Sequence, residues 1–228
     1  MLKVTTSWDD GDILDKRLSD LLSRYGIRGT FYISKSYRPE RLSDQDVQEL
    51  FKTYEIGAHT INHPDLRTLS SVERKSEVEG SKKWLEGLLD AEVKMFCYPK
   101  GFHDASVVSA VKEAGFLGAR TTELARLDIA NPYLMPATIQ VYPVNWRSRK
   151  QRSPKLRALG VSIFSMYSWL SIAKATFDIA TKKGGVFHLY GHSWEIERYN
   201  MWDGLEKFLK YIAHKKNCVY LTNSQIFK

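Results

Sequence analysis

The chain has 228 residues, of which 43% are hydrophobic, 12% aromatic and 26% charged, the make-up of a globular protein with a large core; a disordered or fibrous chain is excluded. No apolar run approaches the roughly 18 residues of a membrane span, and the opening MLKVTTSWDDGD lacks the basic and apolar regions of a secretion signal, so a cytoplasmic location is expected. Two cysteines, Cys97 and Cys218, exclude a disulfide framework, and the net charge of +8 comes with no recognisable nucleic-acid module, so no nucleic-acid partner is expected.

Read in order, LKVTTSW is a β-rich run, and the helix DILDKRLSDLLSRYG follows, with Ile13, Leu14, Leu18, Leu21 and Leu22 at helical spacing before Gly26 stops it. GTFYIS reads as a strand. LSDQDVQELFKTY is a helix with Ser43 as N-cap and Asp46 three positions on, and EIGAH is the third strand. SSVERKSEVEGSKKWLEGLL opens on the capping box Ser70 with Glu73. Strand VKMFCYP, helix DASVVSAVKEAGF capped by Asp104, and short strand LGART come next. A basic stretch, Asn145 to Arg157, with six Arg or Lys in thirteen residues and no acid, reads as a solvated excursion between elements. Helix WLSIAKATFDIATKK, strand GVFHLYGH, helix DGLEKFLKYIAHK and strand CVYLT complete the chain.

Strands alternating with helices pair in parallel, so the expected fold is α/β: one domain over residues 1–228, a barrel of about seven parallel strands. Chemistry in such folds gathers at the C-terminal ends of strands. The polar clusters fall there: Asp9 and Asp10 after the first strand, His59 and His63 after the third, YPKGFHD after the fourth, and His192 late in the chain. Two imidazoles four apart on a helical turn, plus a carboxylate from another element, make a three-ligand metal site with open positions. Gly11 lets the backbone turn in WDDG, so one aspartate can hold the ion while its neighbour stays free as a base.

SWDDGD, HTINH and FCYPKGFHD resemble, in order and spacing, the first three motifs of the polysaccharide deacetylase family, carbohydrate esterase family four. That resemblance implies a distorted (β/α) barrel and metal-dependent hydrolysis of an N-acetyl or O-acetyl group on a saccharide. By motif position it makes Asp10, His59 and His63 the ligands of one divalent ion, with zinc expected, and Asp9 the catalytic base. Lys100 would offer its backbone N–H to the oxyanion. Tyr98, His103 and Trp194 are expected at the substrate. For the general acid, His192 at the strand end is preferred over His188 within it, with Glu195 as a support for His192. The sequence departs from the family where Cys97 replaces the usual Arg after the Phe and Lys100 the usual Tyr after the Pro, and no acidic fourth motif is visible in NPYLMPATIQVYP. Those departures keep two alternatives open: a hydrolase of small cyclic amides such as allantoin, and a carbohydrate-binding domain that has lost turnover. No membrane partner is expected, and the sequence implies no oligomeric state.

Overall fold

The computed structural model describes residues 1–144 and 146–228, with the backbone alone for 146–152. The first half alternates regularly through β1 (Leu2–Asp10), α1 (Asp15–Arg24), β2 (Thr30–Ile33), α2 (Asp44–Phe51), β3 (Glu55–Ala58), α3 (Ser71–Leu89), β4 (Met95–Cys97), α4 (Ala105–Glu113) and β5 (Gly118–Arg120). The second half is β6 (Ile139–Gln140), α5 (Trp146–Leu159), α6 (Trp169–Lys183), β7 (Gly185–Gly191), α7 (Ser193–Arg198), α8 (Trp202–Ile212) and β8 (Cys218–Tyr220). Helix starts are built as their residues dictate. Ser43 with Asp46 and Ser70 with Glu73 form reciprocal capping boxes, and Asp104 accepts from the Val107 N–H, so backbone donors that lack partners in a first turn are satisfied.

Every ladder among the described residues is parallel, and the sheet runs β5-β4-β3-β2-β1-β7-β6, with β8 also paired to β1. β1 is the axis of this arrangement. One edge pairs with β7 along Leu2–Trp8; the other pairs with β8 at Leu2–Val4 and with β2 at Ser7–Asp10. The sheet curls, and between β5 and β6 no strand ladder closes it among the described residues. Segment 121–138 spans that seam by single bonds, such as Met135 N–H to Ala119 O on β5 and Thr138 N–H to His188 O on β7. The result is the distorted barrel that the alternation and the motifs led us to expect.

Side chains at alternate positions of β1 climb the barrel interior: Thr5 donates to Asn223, Ser7 meets His188, and Asp9 meets Arg120 at the top. Trp8, Phe31, Phe96, Phe187 and Phe208 are fully buried in the apolar layer. No helix among the described residues is long and apolar enough to cross a membrane.

Within the basic stretch 145–157, read from the sequence as a solvated excursion between elements, the backbone from Trp146 to Leu159 is helical, with Pro154 inside it. Asn145 and the side chains of 146–152 lie outside the described residues. Periodicity did not reveal this helix, since the sequence WRSRKQRSPKLRAL is dominated by cations and carries few apolar residues.

Candidate active site

Asp9 and Asp10 are the last two residues of β1, within the strand rather than after it. Asp9 keeps the inward direction of the pleat. Asp10 has φ 85° and Gly11 φ 72°, so the chain swings away at once and the two carboxylates face different partners.

Asp10 Oδ1 lies 3.5 Å from His59 Nε2 and 3.6 Å from His63 Nε2. A tetrahedral ion with ligands at about 2.0–2.2 Å spaces its donor atoms about 3.3–3.6 Å apart, so the three groups fit a divalent cation. Two further observations support that fit. Asp10 Oδ1 is buried and accepts no hydrogen bond among the described residues, while Oδ2 accepts from Trp194 Nε1 at 2.8 Å, which fixes the carboxylate. The His59 Nδ1–H donates to the Cys97 carbonyl at 2.8 Å, aiming Nε2 at Asp10. Burial, then the charge of His59, lowers the His63 pKa to about 4, whereas at His59 Cys97 and Asp10 outweigh burial and raise it, so ligation by His59 would displace its proton. Asp9, His59 and Cys97 form a second group of donor atoms, but burial pushes the Cys97 thiol up, and a neutral thiol is a poor ligand.

The two histidines do not share a helical turn, contrary to the sequence expectation. Thr60 and His63 have φ 66° and 57°, and residues 59–63 form a looped bend after β3. Glu77 on α3 holds the bend: its carboxylate accepts from the backbone N–H groups of Ile61 and Asn62 at 2.8 and 2.9 Å. The Thr60 hydroxyl accepts from the His63 N–H.

Asp9 is gripped by Arg120, which is 0% exposed. Burial alone would push the Asp9 carboxyl up; the Arg120 charge, then His192 and His59, outweigh it and hold it below the ordinary carboxylate value. The Arg120 guanidinium lies between the rings of Tyr32 and Tyr190, 5.6 and 4.5 Å from their centroids. Arg120 pairs in register with Cys97, the position where the resembled motif carries its Arg. The guanidinium therefore arrives from the neighbouring strand. Nothing in the short run LGART marked it, and only strand register reveals it.

His192 stands at the N-cap position of α7 without a side-chain capping bond. Its Nε2 is 3.7 Å from Asp9 Oδ2, and its Nδ1–H donates to Glu195 Oε2 at 2.6 Å. Burial would push this imidazole down, but the Glu195 hydrogen bond and the charges of Asp9, Asp10 and Glu195 outweigh it and raise its pKa. Glu195 thus stands where the sequence expected it, as a support for His192. His188 is a satisfied core histidine, 1% exposed, with Nδ1 donating to Pro136 O at 3.0 Å and Nε2 on Ser7 Oγ at 2.8 Å. Burial first, then the Arg120 charge, lowers its pKa to about 3.

Around the mouth, Lys100 sits at φ 58° in the turn Pro99–Gly101. Tyr98, expected at the substrate, is instead fully buried and donates to the Tyr133 carbonyl, so it supports that turn from below. His103 is half-buried, its Nδ1 on the Gly101 carbonyl. Trp194, expected to floor a sugar, spends its N–H on Asp10 and carries Arg38 over its ring at 4.6 Å; Arg38 is itself paired with Asp12. The aromatic face at the mouth that the sequence did not single out is Tyr37, 40% exposed and stacked on His63 at 4.0 Å.

Residues 3–119 match the family model described as polysaccharide deacetylase. YxkH of Bacillus subtilis, which carries a provisional polysaccharide deacetylase name, is 28% identical over 106 residues, covering 45% of this chain and 38% of the relative. The peptidoglycan-N-acetylglucosamine deacetylase of Bacillus cereus is 29% identical over 115 residues, 50% of this chain and 53% of the relative. The matched stretch thus spans about half or less of these relatives' length. In fold, the chain is similar to the Xyl-CE4 domain of a multidomain xylanase from the hindgut metagenome of Trinervitermes trinervoides. That similarity has a TM-score of 0.65 and 13% identity, covering 99% of this chain and 89% of that one.

Proposed function

The chain belongs to the polysaccharide deacetylase family, and from that premise we propose that it is a metal-dependent hydrolase, acting as one catalytic domain, that removes N-acetyl or O-acetyl groups from a saccharide. The observation that carries this reading is the convergence of two sets of residues on β1: Asp10 with His59 and His63, and Asp9 between Arg120 and His192. A divalent ion held by Asp10, His59 and His63, with zinc matching the nitrogen-rich donor set, would supply the Lewis acid that polarises the acyl carbonyl and acidifies water.

This chain's residues supply the proton transfers. Asp9, ionised at neutral pH because the charges of Arg120, His192 and His59 together outweigh its burial, takes the proton of the attacking water. The Lys100 N–H, in the tight turn Pro99–Gly101, would donate to the developing oxyanion. His192, its pKa raised by Glu195 and the aspartates despite burial, delivers a proton to the leaving amine. Arg120 on Asp9 and Glu195 on His192 support turnover over a binding domain that has lost it.

The test is to incubate zinc-loaded protein with N-acetylated chitooligosaccharides, acetylxylan and allantoin, following acetate release and ring opening. Acetate release is expected. Ring opening alone would move the assignment to cyclic amides, and tight saccharide binding without turnover would move it to a binding domain.

A further inference from the structure

The basic stretch has no part in the site described above, and the link that follows it carries the most exposed aromatic rings among the described residues. Between Asp128 and Asp178 the chain has no acidic residue and seven cations, six of them in the sequence of α5. Lys155 and Arg157, near the C-terminal end of that helix, are exposed. The chain then reaches α6 through a single turn, Ile163–Ser165. Val161, Met166 and Trp169 sink into the core and pin the link from within. Ser162 accepts from the Phe164 N–H at 3.3 Å, and Ser168 caps α6 through the Ser171 N–H at 3.1 Å. The positions between these anchors face outward: Ile163 is 54% exposed, Phe164 84% and Tyr167 76%, whereas every other described Phe, Tyr or Trp is at most 41% exposed.

Large apolar side chains held in water beside an acid-free run of cations mark a contact surface, and their chemistry selects the occupant. A second copy of the chain meeting here about a two-fold axis would set cations against cations with no carboxylate between them. A soluble polyanion would pair with the cations and leave Ile163 and Phe164 in water. An anionic lipid surface satisfies both features. Ile163 and Phe164 enter the acyl boundary, the Tyr167 ring takes the headgroup level that amphipathic aromatics favour, and lipid phosphates face Lys155 and Arg157. We therefore propose that the link between α5 and α6 docks the protein on membranes rich in anionic lipid. The contact is with the surface, since no described helix is long and apolar enough to cross the bilayer, and it is independent of the reaction assigned to the site.

The test is flotation of the full chain with vesicles of phosphatidylcholine alone and of phosphatidylcholine mixed with phosphatidylglycerol. Binding is expected to the mixed vesicles only, and it should weaken steeply with salt. Phe164→Ser should lower the affinity about ten-fold, the effect of withdrawing one Phe side chain from an apolar layer, with Tm at the parent value. Ile163→Ser should act in the same direction and serves if the first variant does not fold. Lys155→Gln and Arg157→Gln together should lower the affinity at least about five-fold, the contribution of one cation at an anionic surface. No binding to either vesicle, or equal binding by the parent and a folded Phe164→Ser protein, overturns the proposal. Binding of heparin in place of vesicles, unchanged in Phe164→Ser, would overturn it in favour of a soluble polyanion. A parent dimer in sedimentation that Phe164→Ser dissociates, with no vesicle binding, would overturn it in favour of a second copy.

Discussion

Replacing Arg120 by Met leaves the side-chain volume nearly intact and removes the only guanidinium on Asp9 among the described residues. Both partners are buried, Arg120 at 0% and Asp9 at 3% exposure, so the carboxylate is left charged with its main compensation gone. Breaking a buried pair from one side costs about 3–5 kcal/mol, a large share of the stability of a domain this size. Loss of the charge also lets burial push the Asp9 carboxyl up, so the base form should be populated only at higher pH. The acidic limb of the pH–rate profile should move upward, with activity recovering as pH rises and metal content unchanged. Arg120→Lys keeps the charge but not the planar fork, and should fall between the two. Urea unfolding and kcat/KM against pH measure both effects. A folded Arg120→Met protein with parental stability and an unmoved acidic limb would refute the assignment of Arg120 as the support of the base.

Glu195→Gln removes the carboxylate that helps raise the His192 pKa against burial, so the alkaline limb of kcat/KM should move to lower pH; an unmoved limb would show that Glu195 does not tune the acid. Glu77→Ala frees the Ile61 and Asn62 N–H groups and should weaken metal affinity about 10–100-fold by competition titration. Equal affinity would mean that the bend keeps its shape unaided. Asp15 is 0% exposed, and burial first, then the charges of Asp12, Asp10 and Asp9, hold its pKa well above the ordinary value. Its contribution to stability is full below the unfolded carboxyl pKa and is lost as pH rises through the folded one. Asp15→Asn escapes that loss, and its Tm relative to the parent should rise from pH 5 to pH 8; a constant difference would show that Asp15 is ionised in the fold.

The proposed ligands and base were brought together as the sequence suggested because each follows or ends an apolar strand, which fixes both direction and height in a parallel barrel. What those ligands lean on was not legible in the sequence. Glu77 reaches the His59–His63 bend from the middle of a helix, and Arg120 reaches Asp9 from a three-residue strand, contacts set by register and helix placement rather than by local pattern. Positive φ at Thr60 and His63 lets two imidazoles four apart converge without a helical turn, and propensity gave no sign of it. Tyr98 was misjudged for the opposite reason: it sits in a loop motif at the rim, yet its ring is core. The two-residue β6 is too short for any periodicity to register, and so the seam was invisible.

The division of labour between Asp9 and Asp10 tests the account most directly, through metal content and kcat measured together on Asp9→Asn and Asp10→Asn. Asp10 faces the two imidazoles and Asp9 faces Arg120 and His192. Asp10→Asn should therefore lose the metal and the activity. Asp9→Asn should retain stoichiometric metal while kcat falls about 100-fold or more, the range of general-base catalysis, with KM changed much less. An Asp9→Asn protein that turns over at the parental rate, or one that loses its metal while Asp10→Asn keeps it, would contradict the account.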